Sequence, residues 1–230
     1  MQRAGAQVEV ISLTPWIPRW PAQRASLRAY SACPPEATWG EIKAHYPRWL
    51  LYPVTAVERW YAANPERWLR WAWRFCRQDV LRIAEAFAPD VIFAHHTCVN
   101  GWVALQLADS LRRPFFCQDH ALWDIEMCER FPQRRAMFGK IAARAAGMFA
   151  VSRRMAADLL RVAPGAPVSV LPNGAKLPAA TQNPKPMSER PTVIFSAGMF
   201  VRYKGFDVLL EAWKLVQERF PAARLRVAGD

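Results

Sequence analysis

The stretch TVIFSAGMFVRYKGFDVLLEAWKLVQERFPAARLRVAGD, residues 192–230, decides the fold of this chain. Thr192-Val193-Ile194-Phe195-Ser196-Ala197 is a short apolar, β-branched run, the pattern of a buried strand. Gly198 and Gly205 bracket a loop that carries Arg202 and Lys204. Asp207 then opens a helix in which Val208, Leu209, Ala212, Trp213, Val216 and Phe220 recur at helical spacing. Pro221 ends it, and Leu225-Arg226-Val227-Ala228 reads as a second strand. Strand, basic glycine loop, helix and strand make a βαβ unit, which requires parallel strands joined by a crossover. A lysine just before a helix N-terminus is placed to meet phosphate, through its own charge and through the helix dipole.

Working outward, the same alternation fills the rest of the chain. Val8-Glu9-Val10-Ile11-Ser12-Leu13 predicts a strand ended by a turn at Pro15-Trp16-Ile17-Pro18. Residues 19–52 lack periodicity and predict an irregular, partly extended region. Asn64-Pro65-Glu66 signals a helix start, with Asn64 as cap and proline at the first position. Trp68, Trp71 and Phe75 share a face of that helix, interleaved with Arg67, Arg70, Arg74 and Arg77. Two readings stand open: a core-facing aromatic stripe with a solvated basic face, or an interfacial helix on an anionic membrane. Pro89-Asp90-Val91-Ile92-Phe93-Ala94-His95-His96 predicts a strand ending in histidines, and Asn100-Gly101 turns the chain into a helix from Trp102 to Leu111. Pro114 to Asp119 repeats the pattern and ends at His120. A small-residue helix from Phe138 to Gly147, a strand ending at Ser152 and a helix capped by that serine follow. Asn173-Gly174 is intrinsically a turn, and 175–191, rich in proline and polar residues, reads as a linker.

Bulk properties narrow the partners. The chain has 230 residues, 52% of them hydrophobic, and a formal charge of +12, which favours anionic partners. Phosphorylated ligands, membrane headgroups and nucleic acid all carry such charge, but no nucleic-acid motif is present and the basic residues are dispersed, so nucleic acid is disfavoured. Five cysteines without a Cys-x-x-Cys pair argue against a disulfide framework and a zinc site. No metal or cofactor is expected. Without a secretory signal or a transmembrane-length apolar run, the expectation is a cytoplasmic protein, peripheral at most on the inner face of a membrane.

The segment Gly198-Met199-Phe200-Val201-Arg202-Tyr203-Lys204-Gly205-Phe206-Asp207 resembles the opening of the donor domain in retaining glycosyltransferases of the GT-B fold, family 4. There the loop reads Gly-Arg-x-x-x-x-Lys-Gly-x-Asp. Lys204 matches the lysine that binds the nucleotide-sugar diphosphate, while Met199 replaces the arginine, a role that Arg202 stands near enough in sequence to take. Three upstream segments fall in the family's order: the strand ending in His95 and His96, the strand ending at His120, and Asn173-Gly174 before the linker. The resemblance implies that His120 lies beside the transferred sugar, although Ala121 stands where the family has Asp or Gly. It implies that Lys204, Arg202, Gly198 and Gly205 hold the donor, and that His95, His96, Asn100, Gly101, Asn173 and Gly174 line the acceptor side or the cleft.

The expectation is therefore an α/β protein of the GT-B type. Residues 1–174 form a Rossmann-like acceptor-side domain lacking its first strand, 175–191 the linker, and 192–230 the first βαβ unit of a truncated nucleotide-sugar domain. The implied activity is transfer of a hexose, with retention, from a nucleotide diphosphate sugar to a polysaccharide or lipid-linked acceptor in bacterial surface polysaccharide synthesis. Because the family's Glu-x7-Glu element is missing, the sequence reads as a fragment inactive by itself. Two alternatives stay open: a non-catalytic module binding glycans or membranes, and a GT-B-like sugar-nucleotide epimerase.

Overall fold

The computed structural model describes residues 5–18, 25–50, 61, 64–120, 122–174, 193–198 and 200–229. The chain divides into two units, Met1–Gly174 and Ala175–Asp230.

The first unit opens with β1 (Glu9–Ile11) and β2 (Thr14–Pro15), then α1 (Ala25–Ala32), β3 (Glu36–Trp39), β4 (Ile42–His45) and β5 (Arg48–Trp49). β1 pairs in parallel with β4, and β3 pairs antiparallel with β4. Contrary to the expected turn at Pro15, parallel pairing continues through β2 and β5. The reason lies in the alternation of the ladder. Ser12, Thr14 and Trp16 donate to the carbonyls of His45, Pro47 and Trp49, so the absent N–H of Pro15 falls on the side that faces away. The region expected to be irregular thus holds a helix and a hairpin. Gly40, at φ 62, supplies the left-handed residue of the tight β3–β4 turn. His45, buried on β4, meets Glu9 at 2.8 Å and Glu36 at 3.2 Å, tying the three strands together.

Next come α2 (Pro65–Phe87), β6 (Ile92–His95), α3 (Trp102–Leu111), β7 (Phe115–Asp119), α4 (Trp123–Arg130), α5 (Pro132–Arg144), β8 (Gly147–Ala150), α6 (Arg153–Val162) and β9 (Val168–Val170). β6, β7, β8 and β9 form one sheet in that order, every pair parallel, with a helical crossover between each strand and the next. α4 and the first turn and a half of α5 were not foreseen. Ser152 caps α6 as expected, accepting from the Met155 N–H at 3.2 Å. Asn64 stands at the N-cap of α2 but its side chain makes no cap bond.

The core corrects the expected aromatic stripe of α2. Leu69, Ala72, Trp73, Cys76, Val80 and Ala84 form its buried face, and Trp73 meets Trp102 of α3 edge-on. Trp71 and Phe75 instead face outward, 41% and 57% exposed. Under the helices lie Phe115 and Cys117 of β7, Met148 and Ala150 of β8, and Met137, Phe138 and Ile141 of α5. Each large side chain buried here contributes roughly 1.5–3 kcal/mol. Five free cysteines accompany this core, four of them buried, and burial pushes the Cys117 thiol up to about 12, which suppresses its thiolate.

The second unit carries β10 (Val193–Ala197), a single 3-10 turn at Arg202–Lys204, α7 (Phe206–Arg219) and β11 (Arg224–Ala228). β10 and β11 pair in parallel from Val193–Arg224 to Ala197–Ala228, as the βαβ pattern predicts. The apolar face predicted for α7 is only partly covered: Leu209, Trp213 and Val216 are half-buried, Val208 and Phe220 are exposed, and no α7 residue is fully buried.

Gly101 shows how tightly the first unit packs. A Cβ there would come within 2.9 Å of Cys117 Sγ and 3.3 Å of Ile141 Cγ2. Gly101→Ala is expected to lower unfolding free energy by about 1–3 kcal/mol through overpacking, read in urea titrations of the two proteins.

Candidate active site

Strand ends build the site. In a parallel sheet the carboxyl ends of β6 and β7 point the same way, and open α/β sheets bind ligands there. His95 closes β6, and His120 directly follows β7. The register Ala94–Cys117 and His95–Gln118 brings these ends side by side. His95 Nδ1 lies 2.7 Å from His120 Nε2, and the two rings stack at 24° with centroids 4.9 Å apart. His96 meets His120 edge-on at 5.7 Å.

The backbone at His96 is strained. Its φ of 70 and ψ of 128 lie outside the regions that suit residues with a Cβ. Two bonds hold it there: the His96 N–H donates to the Gln118 carbonyl at 2.8 Å, and its own carbonyl accepts from the Gly101 N–H at 3.0 Å. A π-type turn, Thr97–Gly101, then leads into α3. Within it, Asn100 donates from Nδ2 to the His95 carbonyl at 2.7 Å.

Below the histidines lies a polar layer. Asp119, buried at the end of β7, accepts from the Thr97 N–H at 3.0 Å and from the Thr97 hydroxyl at 2.6 Å. Burial raises its carboxyl above the ordinary value, with the two Thr97 bonds pulling the other way. Since the folded state holds this proton more tightly than the unfolded chain, the group's contribution to stability falls as pH rises through that window. Next to it, Arg134 of α5 donates from Nη2 to Asp124 Oδ1 at 2.7 Å and lies over the Trp123 ring at 4.5 Å. His96, Asp119 and Asp124 bring ligand-type atoms within 4.8 Å of one another. Thr97 and Arg134 already hold the two carboxylates, so the group is a hydrogen-bonded polar layer next to His96 rather than an open cation site. Arg134 could have been found from α5 periodicity, which places it on one face with Met137, Phe138 and Ile141. Asp119 and Asp124 flank His120 in the sequence, whereas Thr97 carries no local signal.

Over residues 1–177 the chain matches the family model for Glycosyltransferase Family 4. The chain belongs to that family. Its fold is accordingly GT-B, realised here as a mixed α/β structure with parallel sheets. Membership makes it a glycosyltransferase-type protein that works on a sugar donor and an acceptor. No curated protein shows significant similarity to the chain.

Of the residues anticipated from sequence, His95, His96, Asn100, Gly101 and His120 come together at one sheet edge. Asn173 and Gly174 follow β9, two strands from β7, and the turn expected there runs into residues outside the described ones. Gln118 reaches toward that segment, donating to the Leu171 carbonyl at 3.1 Å. In the second unit, Gly198 donates to the Ala228 carbonyl at 3.0 Å, and Gly205, at φ 69, forms the N-cap of α7. Arg202 and Lys204 stand exposed on the turn just before that helix. Met199, Ala121 and the linker 175–191 lie outside the described residues. Among the described residues no helix is long and apolar enough to cross a membrane.

The Arg134–Asp124 pair gives a direct stability test. Arg134→Met leaves a buried carboxylate without its partner and is expected to cost about 3–5 kcal/mol. Adding Asp124→Asn should recover part of the loss, measured by denaturant unfolding of all three variants.

Proposed function

We propose that the chain serves retaining transfer of a hexose from a nucleotide diphosphate sugar to a polysaccharide or lipid-linked acceptor in bacterial surface polysaccharide synthesis. The observation that carries this reading is the histidine cluster at the carboxyl ends of β6 and β7 within a family-4 chain. His120 contacts the transferred sugar. Lys204, helped by Arg202 and by the N-terminus of α7, stabilises the negative charge that grows on the departing diphosphate. Cationic side chains and a helix end meet that charge, so the reading invokes no metal. The expected outcome of Lys204→Ala is a roughly 10- to 100-fold loss in donor affinity, followed by calorimetric titration with a panel of nucleoside diphosphate sugars. Unchanged values would remove the lysine from this role. Binding to glycans or vesicles with no measurable binding of any donor would favour the non-catalytic module.

A lipid-linked acceptor places the protein at a membrane surface, and α2 has a face suited to one. Trp68, Trp71 and Phe75 stack edge-on in series, at 5.9 and 5.0 Å. Exposed Arg67, Arg74 and Arg77 flank them, with no ion pair among the described residues. Aromatic rings beside arginines suit the boundary of an anionic bilayer, where rings enter the headgroup layer and guanidinium groups meet phosphate. Sedimentation with anionic vesicles should show salt-sensitive binding that neutral vesicles and duplex DNA do not match, and Trp71→Ser with Phe75→Ser should abolish it. Equal binding to all three would end the membrane reading.

A further inference from the structure

We propose that His95 is a positioning residue that fixes the tautomer of His120, so that the pair presents one hydrogen-bond donor and one acceptor to a neutral hydroxylated ligand. This rests on the reading of His120 as the residue that meets the transferred sugar, and it adds what that residue offers.

The geometry limits the choices. A contact of 2.7 Å between His95 Nδ1 and His120 Nε2 needs one proton between the two nitrogens, with one ring donating and the other accepting. Two arrangements of neutral rings satisfy this. In the first, His120 donates from Nε2–H to a bare Nδ1 on His95, and both rings adopt the Nε2–H tautomer, the more stable form of a free neutral histidine side chain. In the second, His95 donates from Nδ1–H and both rings adopt the less stable tautomer. The second would need an acceptor for His120 Nδ1–H, and among the described residues His120 hydrogen-bonds to His95 alone. The first arrangement therefore holds. His95 Nε2–H is left as an outward donor and His120 Nδ1 as an outward acceptor. A sugar hydroxyl both donates and accepts, so adjacent hydroxyls of a hexose complement this face, whereas an anion would need two donors.

Neutrality of His95 is built into the site. Partial desolvation against its neighbours, then the charges of His120 and His96, hold the imidazole of this half-exposed residue below the ordinary value, which keeps Nδ1 free to accept. The titratable groups facing the pair are His96, edge-on to His120, and beneath it Asp119 and Asp124, whose carboxylates are taken by Thr97 and by the Arg134 guanidinium. On the β6–β8 side the neighbours are the aromatic rings of Phe93 and Phe149.

Four histidines in the whole chain make the test direct. With histidine labelled by nitrogen-15, ring-nitrogen NMR spectra recorded above the titration range report each tautomer, and single substitutions assign the signals. The expected result is His120 wholly in the Nε2–H form, with a nitrogen–nitrogen coupling to His95 across the hydrogen bond. His95→Ala should turn His120 into a mixture of tautomers, and His95→Gln, whose amide oxygen can accept in place of Nδ1, should restore the single form. His120→Ala should move the His95 titration up toward its ordinary value. Either His120 in the Nδ1–H form, or a His120 tautomer that His95→Ala leaves unchanged, would overturn the proposal. The spectra need no donor sugar, so a failure here is distinct from a failure of the donor titration. His95 is exposed, and unchanged melting of its variants separates a local effect from unfolding.

Discussion

The carboxyl group of Asp119 sits nearly out of water at the end of β7, and Thr97, on the turn after β6, occupies both of its oxygens. Taking a carboxyl out of water is costly unless hydrogen bonds replace the lost solvation. Here the replacement comes from the neighbouring strand's connection, and not from its own. The cost of burial is thereby converted into a cross-link between two adjacent strand ends. His95 and His96 stand on one side of that link and His120 on the other. The link adds to the β6–β7 pairing that sets the imidazoles side by side.

A second support sits one layer further out. Arg134 brings α5 against α4 through Asp124, and Asp109 on α3 pairs with Arg144 at the far end of α5. The two contacts differ in weight. The exposed Arg144 pair adds little, since water screens it, whereas the buried Arg134 pair strongly disfavours any arrangement that separates its members. Helices packed on the sheet are thus held in place around the strand ends by one buried ion pair and by close contacts such as Gly101 against Cys117.

What could be read from the sequence follows from how local each signal is. The strands ending at His95, at His120 and before Ser152 are continuous apolar runs followed by polar residues, and such runs declare themselves. The βαβ order follows from their alternation with helices. Between Ala25 and Trp49 the elements are only two to eight residues long, too short for periodicity to register, and their pairing joins residues far apart in the chain. The aromatic residues of α2 left two readings open for a different reason: apolar character alone does not say which of two apolar faces is buried. Leu69, Trp73 and Cys76 take the core, leaving Trp71 and Phe75 outside. In the site, the histidines were visible as residues at strand ends. The link below them was not, because Thr97 and Asp119 are 22 positions apart and meet only when β6 and β7 pair.

The strained backbone at His96 carries a consequence for how the molecule assembles. Its unfavourable torsions persist because the Gln118 carbonyl, on another strand, accepts its N–H. Before β7 is laid beside β6 that bond does not exist, and His96 relaxes to ordinary torsions. The arrangement of imidazoles cannot therefore form early as a local turn; it appears only as the two strands zip to their carboxyl ends. In a partially opened molecule it would be among the first features lost. The histidine cluster works, in effect, as a latch that engages only once the sheet beneath it has closed.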